Sequence, residues 1–372
     1  MELTLFYIFL SITLLQLLFV LLVDSQLLFY RSRSEGTSLP PVSVIVAVHN
    51  EPAYMKRLLE ALYEQQYEDF EIIVVDDRSD FNEHTFFYKQ QHELGRIKLV
   101  RVEQTPQHIS HKKYALTLGV RAAQHEHLLF TDADCLPRSP HWIQNMMQAF
   151  KPTTNIVLGV SPYERKPSFL NYIIRNETFY TALQYLSFKL VGLPYMGVGR
   201  NLAYKKSLFL KEKGFASHQE IVGGDDDLFV NQVARKGNTA ICIKAEGQMM
   251  SIPKTTWSEW QTQKIRHLSV GKYYKWKHKL ILGLYNLTHI GFWLTGVASL
   301  VSLTWVVSPW MWLIVGAFSG RFLLKNIILS RIALKMHMPN KWYELFLFDC
   351  LYCFYILLIG VRALFTKTAK WS

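Results

Sequence analysis

Cysteine is scarce: four residues in 372, and Cys135 and Cys242 have no partner at a pairing spacing. This excludes a disulfide-stapled scaffold and fits a reducing compartment. Cys350 and Cys353 form a C-x-x-C, but inside the apolar block Leu345 to Phe365, where they read as helix-packing residues rather than metal ligands. Acidic side chains are also few, 29 against 41 Lys and Arg, for a formal charge of +12. No nucleic-acid-binding motif accompanies that charge, so nucleic acid is not an expected partner. The cations gather beside apolar blocks, which fits anionic lipid headgroups. Two stretches lack charge altogether, Leu3 to Val23 and Leu280 to Gly320.

The first uncharged stretch is long enough for one bilayer span of about 20 residues. Its apolar core exceeds that of a signal peptide and no small-x-small cleavage site follows, so it reads as a retained anchor. The second is about twice one span, with Ser308-Pro309 as the expected turn of a helical hairpin. The third block, Leu345 to Phe365, carries Asp349 and Arg362 and reads as either a further span or a re-entrant segment. Arg31 and Arg33 follow the first span, and Arg321, Lys325, Arg331, Lys335 and Lys341 follow the hairpin. The positive-inside rule places both groups in the cytoplasm. A basic tail (Arg362, Lys367, Lys370) obeys that rule only if the third block does not cross. The expectation is an integral protein of the cell's inner or plasma membrane, with the part between the anchors cytoplasmic. The sequons Asn176-Glu-Thr178 and Asn286-Leu-Thr288 would there stay unmodified.

Between the anchors, strand-like and helix-like segments alternate. Val42 to Val48, Glu71 to Val75, Ile97 to Val102 and Leu128 to Phe130 are apolar runs. Met55, Leu58, Leu59 and Leu62 repeat with helical spacing, and Lys112 to Ala123 is helix-like. Continuous apolar strands predict a mostly parallel sheet covered by helices, the α/β class, with ligands beyond the carboxyl ends of the strands. Polar clusters stand at those ends: His49-Asn50-Glu51, Asp76-Asp77-Arg78-Ser79 and Asp132-Ala133-Asp134. Each alone suits a turn or a helix cap; three on one edge suit a site. Two carboxylates one residue apart at the end of a buried strand need a positive partner, for which a divalent cation is the plain candidate. Beyond residue 160 the sheet pattern weakens. "GVGRNLAY" (197–204) is a glycine-bearing loop entering a strand, and "GGDDDLF" (223–229) sets three aspartates before a helix-like stretch, where capping needs only one. The Trp-, Tyr- and Lys-rich stretch 255–279 suits a helix in the membrane interface, with Gln263 and Arg266 on one face.

Taken in order, "VSVIVAVHNE", "VVDDRSD", "HKKYALTLG", "TDADC", "GGDDDL" and "QKIRH" resemble the motifs of the inverting family 2 glycosyltransferases of the GT-A fold, in the membrane-integrated branch. That branch holds cellulose, chitin and hyaluronan synthases and ceramide glucosyltransferases. The likeness covers roughly residues 40–270. His267 stands where the family's Q-x-x-R-W has tryptophan, and His111 where glycine precedes the lysine. The resemblance implies a nucleotide-diphospho-sugar (Rossmann-like) domain over 40–250, an anchor over 1–30, an interfacial segment over 251–279 and a membrane region of two or three spans over 280–372.

It also implies roles. Asp134 would be the direct ligand of Mg²⁺ or Mn²⁺, with Asp132 toward the ribose or a metal-bound water. Asp76 or Asp77 would bond the base, with Asn50 and Glu51 framing the nucleoside. Lys112 would reach a phosphate, and Gln263, Arg266 and His267 would hold the departing diphosphate. Asp225 or Asp226 would be the general base, matching of Leu228 favouring Asp225. Gly199, Arg200 and Asn201 would line the acceptor side. The donor would be a nucleotide-sugar, a UDP-sugar on the family's pattern, and the acceptor a membrane lipid or lipid-linked hydroxyl. A processive polysaccharide synthase and a non-catalytic nucleotide-sugar-binding membrane protein are the alternatives.

Overall fold

The computed structural model describes residues 2–31, 39–80, 85, 88–89, 95–303, 309–338 and 340–366. Arg33, Ser308, Lys367 and Lys370 lie outside them. Nine strands are described: β1 (Val42–Val48), β2 (Phe70–Asp77), β3 (Ile97–Val102), β4 (His127–Asp132), β5 (Cys135–Pro137), β6 (Ile156–Leu158), β7 (Leu202–Lys205), β8 (Thr239–Ile241) and β9 (Met249–Ser251). Seven form one sheet in the order β3-β2-β1-β4-β7-β6-β8, and β5 pairs with β9. β3, β2, β1 and β4 run parallel, while β7 is antiparallel to both β4 and β6.

The parallel half forms because its strands bury both faces. Ile45, Val75, Leu128 and Phe130 enter one apolar layer, and Val44, Val46, Ile72 and Leu129 the other. Each fully buried side chain of this kind contributes roughly 1.5–3 kcal/mol. Because β2, β1 and β4 are neighbours in register (Val48 opposite Asp76, Ala47 opposite Asp132), their polar ends come together on one edge. Of the far half of the sheet, β7 was read from the sequence, as the strand that 197–204 enters, and β6 and β8 were not. β6 and β8 are three residues each, too short to show a period.

The framing helices are, in chain order, α1 (Glu2–Phe19), α2 (Pro52–Tyr63), α3 (His111–Ala122), α4 (Phe169–Leu190), α5 (Asp227–Val233), α6 (Trp257–Ser269), α7 (Trp276–Leu303), α8 (Pro309–Lys335) and α9 (Trp342–Tyr355). α2 buries Met55, Leu58, Leu59 and Leu62, the stripe its spacing predicts. α3 seats tightly on the sheet because Gly119 has no side chain: a Cβ there would meet Ile45 Cγ2 at 2.8 Å and Val75 Cγ2 at 2.9 Å. That close seat fixes the position of Lys112 at its first turn. α4 had no sequence signal, since it is buried nearly all round and its hidden residues include Asn171, Arg175, Asn176, Glu177 and Thr178. The stretch 255–279 is two elements, α6 and then the start of α7, joined by a 3-10 turn over Val270–Tyr273.

Among the described residues, four helices are long and apolar enough to cross a membrane: Thr4–Phe29, Trp276–Val301, Trp310–Lys335 and Trp342–Ala363. The expectation that Arg321 and Lys325 lie in a basic loop is corrected. Both are inside α8 and buried, with Arg321 Nη1 2.5 Å and Lys325 Nζ 2.6 Å from the two oxygens of Asp349. Arg321 also bonds Gln16 Oε1 at 2.6 Å, and Gln16 donates to Thr288 at 2.7 Å, so one polar cluster joins α1, α7, α8 and α9. Both ends of the last helix meet the globular part. Glu344 pairs with Arg165 and Arg175 at 2.9 and 3.1 Å, and Lys272 Nζ donates to Thr366 O at 3.0 Å. The helical chain continues through a π-helical turn over Ile356–Gly360 to Phe365.

Asp349→Ala leaves two buried cations unmatched and is expected to cost about 3–5 kcal/mol, since breaking a buried pair strands its partner. It should show as a lower thermal unfolding midpoint in detergent, partly restored when Arg321 and Lys325 are also replaced by Met. An unchanged midpoint for Asp349→Ala would contradict the cluster's structural role.

Candidate active site

The site begins where β1, β2 and β4 end. His49 Nδ1 lies 2.6 Å from Asp77 O, and Asn50 Oδ1 accepts from Asp80 N at 2.8 Å, so the two loops are tied together. Asn50 takes a left-handed φ of 50°, which asparagine tolerates better than most residues. Asp76 is fully buried, accepts from Ser79 N at 3.0 Å and lies 3.7 Å from Arg101. Asp77 accepts from Arg78 Nε at 2.9 Å. Of the four residues expected around a nucleoside, Asp77 and Glu51 line the central cavity; Asp76 and Asn50 do not, and instead shape the turns behind it.

At the end of β4 the two carboxylates are unlike. Lys112 Nζ bonds Asp132 Oδ1 at 2.8 Å and lies 3.3 Å from Asp225 Oδ2. Burial opposes ionisation of Asp132, but Lys112 outweighs it and holds the carboxyl below its usual range. Lys112 is itself held above the usual lysine range, its burial offset by Asp132 and Asp225. Asp134 is pushed up by burial and then by Asp132, and Glu51 is pushed up by burial and then by Asp134. This corner is thus rich in carboxylate oxygen, with Lys112 and Arg200 among the cations that act on it. The Lys112 ammonium, expected to reach a phosphate, lies between Asp132 and Asp225 and lines the cavity.

The three aspartates before α5 divide their work. Gly223 and Gly224, at φ 81° and 75°, turn the chain into them. Asp226 accepts from Gly199 N at 2.6 Å and from Asp227 N at 2.7 Å, capping α5 and pinning the 197–201 loop. Burial and then Asp225 push its carboxyl up to about 6. Asp227 accepts from Tyr274 OH at 2.7 Å and is raised well above the carboxylate range by burial and then by Asp226. Asp225 faces Lys112 and the cavity.

Gln263, Arg266 and His267 of α6 all line the same cavity. Burial, then Arg266, lowers His267 well below the histidine range, so the imidazole is neutral. Lys264, one position after Gln263, turns away to Glu177 of α4, which also accepts from Tyr355 OH at 3.2 Å. Gly199 and Arg200 line the cavity, with the Arg200 guanidinium 4.4 Å from the centre of the Tyr163 ring and its charge acting on Asp132 and Asp134. Arg200 thus belongs to the acidic corner rather than the acceptor side. Asn201 is corrected outright. It is fully buried, donates to Val160 O and Gly247 O at 2.8 and 2.9 Å, accepts from Trp142 Nε1 at 3.0 Å, and does not line the cavity.

The cavity, about 1090 Å³, continues from this acidic corner between α4, α7 and the last helix. Thr178, Thr181 and Gln184 form a polar stripe on α4, while Leu282, Leu287 and Ile290 of α7 and Ile356, Leu357 and Val361 form apolar walls. None of this second half was foreseen. Its residues come from three separate segments, and no local motif marks them.

A seven-stranded α/β sheet, acidic groups at its carboxyl edge and an appended helical region define a GT-A-like fold. Residues 43–211, somewhat under half of the chain, match the model described as Glycosyl transferase family 2. An uncharacterized glycosyltransferase of Nostoc sp., alr2836, is 31% identical over 119 residues, 32% of this chain and 35% of that protein. The match therefore spans about a third of that relative's length. Among solved structures, the mannosyltransferase PcManGT of Pyrobaculum calidifontis, in complex with GDP-Man and Mn²⁺, aligns with a TM-score of 0.59 at 20% identity, over 91% of this chain and 100% of that one. S. aureus TarS 1–349 aligns at 15% identity with a TM-score of 0.43, over 84% of this chain and 91% of that one.

Asn201→Ala would remove the partner of the Trp142 N–H and of Gly247 O in the interior, while Val160 O would keep its bond from Met249 N. It is expected to lower stability by about 2–3 kcal/mol, read as a drop in unfolding midpoint, with affinity for the sugar acceptor unchanged in the folded fraction. A weakened acceptor affinity at unchanged stability would return Asn201 to the acceptor side.

Proposed function

We propose that the protein is an inverting glycosyltransferase that moves one sugar from a nucleotide-diphospho-sugar to a hydroxyl of a membrane lipid. The observation that carries this is the single cavity joining Asp225 and the D-x-D corner to walls made by α7 and the last helix. A soluble acceptor has no need of walls built from Leu282, Leu287, Ile290 and Val361. A lipid can lay its chain against them and bring its headgroup to Asp225.

The chemistry follows from the side chains. Asp225 takes the proton of the acceptor hydroxyl as that oxygen attacks the anomeric carbon. The bond to the diphosphate breaks on the opposite face, which inverts the configuration in one displacement. Negative charge gathers on the leaving diphosphate, where Arg266 offers a bidentate fork and Gln263 further hydrogen bonds. His267, being neutral, orients without adding charge. Lys112 sets the distance between Asp132 and Asp225, and so between donor and base. Asp77 and Glu51 face the nucleoside.

The corner fits a hard divalent cation. Asp134 is a half-buried carboxyl pushed up by its surroundings, and the donors available are oxygens. No group of three or more His, Cys, Asp or Glu that could hold a metal is found among the described residues. That suits Mg²⁺ or Mn²⁺, which bind through one or two carboxylates and are completed by substrate phosphates. Asp134 and Asp132 would hold it, and when bound it supplies Lewis-acid neutralisation of the leaving diphosphate. PcManGT carries Mn²⁺ and GDP-mannose in the same fold, so both GDP- and UDP-sugars belong in a donor screen. The positive-inside rule, applied to Arg31, Arg331, Lys335 and Lys341, supports a cytoplasmic reading for the domain. Lys335 donates to Leu28 O and Tyr30 O at 2.6 and 2.5 Å, which keeps the ends of the first and third candidate spans on one face. A polysaccharide synthase is the weaker reading, since so few crossing helices make a thin conduit for a polymer.

Membranes containing the protein, given labelled nucleotide-sugars, are expected to yield a lipid one sugar heavier by mass spectrometry, and EDTA is expected to stop its formation. Asp225→Asn and Asp134→Asn should each lower the rate about 10²–10⁴-fold, the range for a lost general base or charge partner, with folding intact. A long polymer, binding of donor without turnover, or full activity in either variant would overturn the reading.

A further inference from the structure

Where α9 begins, the globular part and the apolar region share a second cavity, of about 440 Å³. Its polar lining is Arg165, Lys166, Ser168, Tyr172, Arg175 and Glu344, so three cations face one carboxylate. That carboxylate is fully engaged. Glu344 accepts from Arg165 Nη2 at 2.9 Å, Arg175 Nη2 at 3.1 Å and Lys341 N at 3.3 Å. Arg175 is buried and also bonds Asn171 Oδ1 at 3.1 Å. The other two cations are open, with 47% of the Arg165 side chain and 46% of that of Lys166 exposed. Arg165 gives Glu344 one of its five N–H groups, and its guanidinium makes no other bond among the described residues. Lys166 Nζ lies 4.0 Å from Glu164 Oε2, too far for a hydrogen bond. Ser168 Oγ accepts from Asn171 N at 3.0 Å and caps α4, which leaves its hydroxyl hydrogen to donate.

The surroundings point to the ligand. Glu344 is in the first turn of α9, which opens one of the helices apolar enough to cross a membrane. Trp342 and Tyr343 beside it are exposed, as are Phe169 and Trp257, whose ring centres lie 6.2 Å apart. Exposed Trp and Tyr at the start of an apolar helix mark headgroup depth. A basic cavity at that depth faces the phosphates of the leaflet. A guanidinium fork matches two phosphate oxygens and an ammonium serves a third. The surplus of cations disfavours a headgroup that adds a positive charge of its own. This cavity shares no lining residue with the one that holds the D-x-D corner and Asp225.

We propose that Arg165, Lys166 and Ser168 form a binding site for the phosphate of an anionic membrane lipid, separate from the donor and acceptor cavity. A lipid held there pins the seam between α4 and α9 at headgroup depth. The site does not depend on which acceptor the protein uses.

The full chain in detergent is incubated with equal amounts of dioleoyl phosphatidic acid and dioleoyl phosphatidylcholine, and the retained lipid is counted by native mass spectrometry. Neither headgroup has an alcohol for Asp225, so acceptor binding in the central cavity does not enter the count. Phosphatidic acid is expected to be retained about ten-fold over phosphatidylcholine. Arg165→Gln and Lys166→Gln should each lower its retention about five- to ten-fold, the worth of a charge-assisted hydrogen bond at a half-exposed site. Lys166→Gln disturbs only the 4.0 Å contact with Glu164, so it remains decisive if Arg165→Gln fails to fold. Arg331→Gln removes an exposed cation from α8 and is expected to leave retention unchanged. Equal retention of the two lipids, unchanged retention in Lys166→Gln, or an equal loss in Arg331→Gln overturns the site. Displacement of the lipid by an equal amount of inorganic phosphate would make the free ion the ligand and overturn it too.

Discussion

The ammonium of Lys112, held between Asp132 and Asp225, is the contact on which the site depends. It joins two parts of the chain that the fold brings together from opposite directions: the end of β4 and the loop before α5. Without a cation there, two carboxylates would face one another in a largely buried corner, where their mutual repulsion is poorly screened. The tight seat of α3 at Gly119 places this lysine, so a missing side chain on the sheet face and a charge at the site are one design.

Around that contact the acidic residues behave differently because their surroundings differ. Asp132 is kept ionised by Lys112; Asp134 is pushed toward protonation by burial and its neighbour. Asp226 is a tether and cap, and Asp227 hydrogen-bonds Tyr274. Asp225 is left with its carboxylate toward Lys112 and the cavity. Five aspartates of one residue type thus have at least four jobs, set by partners and not by identity.

The membrane region and the domain are not separate modules. Glu344 reaches Arg165 and Arg175, Tyr355 reaches Glu177, and Gln248 donates to Met336 O. The last helix lies against α4, so one wall of the cavity belongs to the apolar region while the other belongs to the domain. On the proposed lipid-acceptor reading, that arrangement would let a headgroup approach the catalytic edge without leaving its own environment.

Much of the fold was legible in the residues. Continuous apolar runs marked β1 to β4, since strands buried on both faces have no polar alternation to hide them, and the polar clusters at their ends named one edge of the sheet. The anchors were legible because a bilayer demands length and apolarity over an unbroken stretch. Local pattern could not reveal α4, whose buried polar residues mimic a surface helix, nor that Arg321 and Lys325 lie within a helix and not a loop. It could not separate Asp225 from Asp226, or show that Asn201 faces the core. Those outcomes depend on partners distant in the chain, such as Asp349, Gly199 and Trp142. Sequence determines which segments are strands, helices or spans, because that is a matter of local period and composition. Only the tertiary structure decides what each charge faces, because the energy of a buried polar group is set by neighbours the chain supplies from elsewhere.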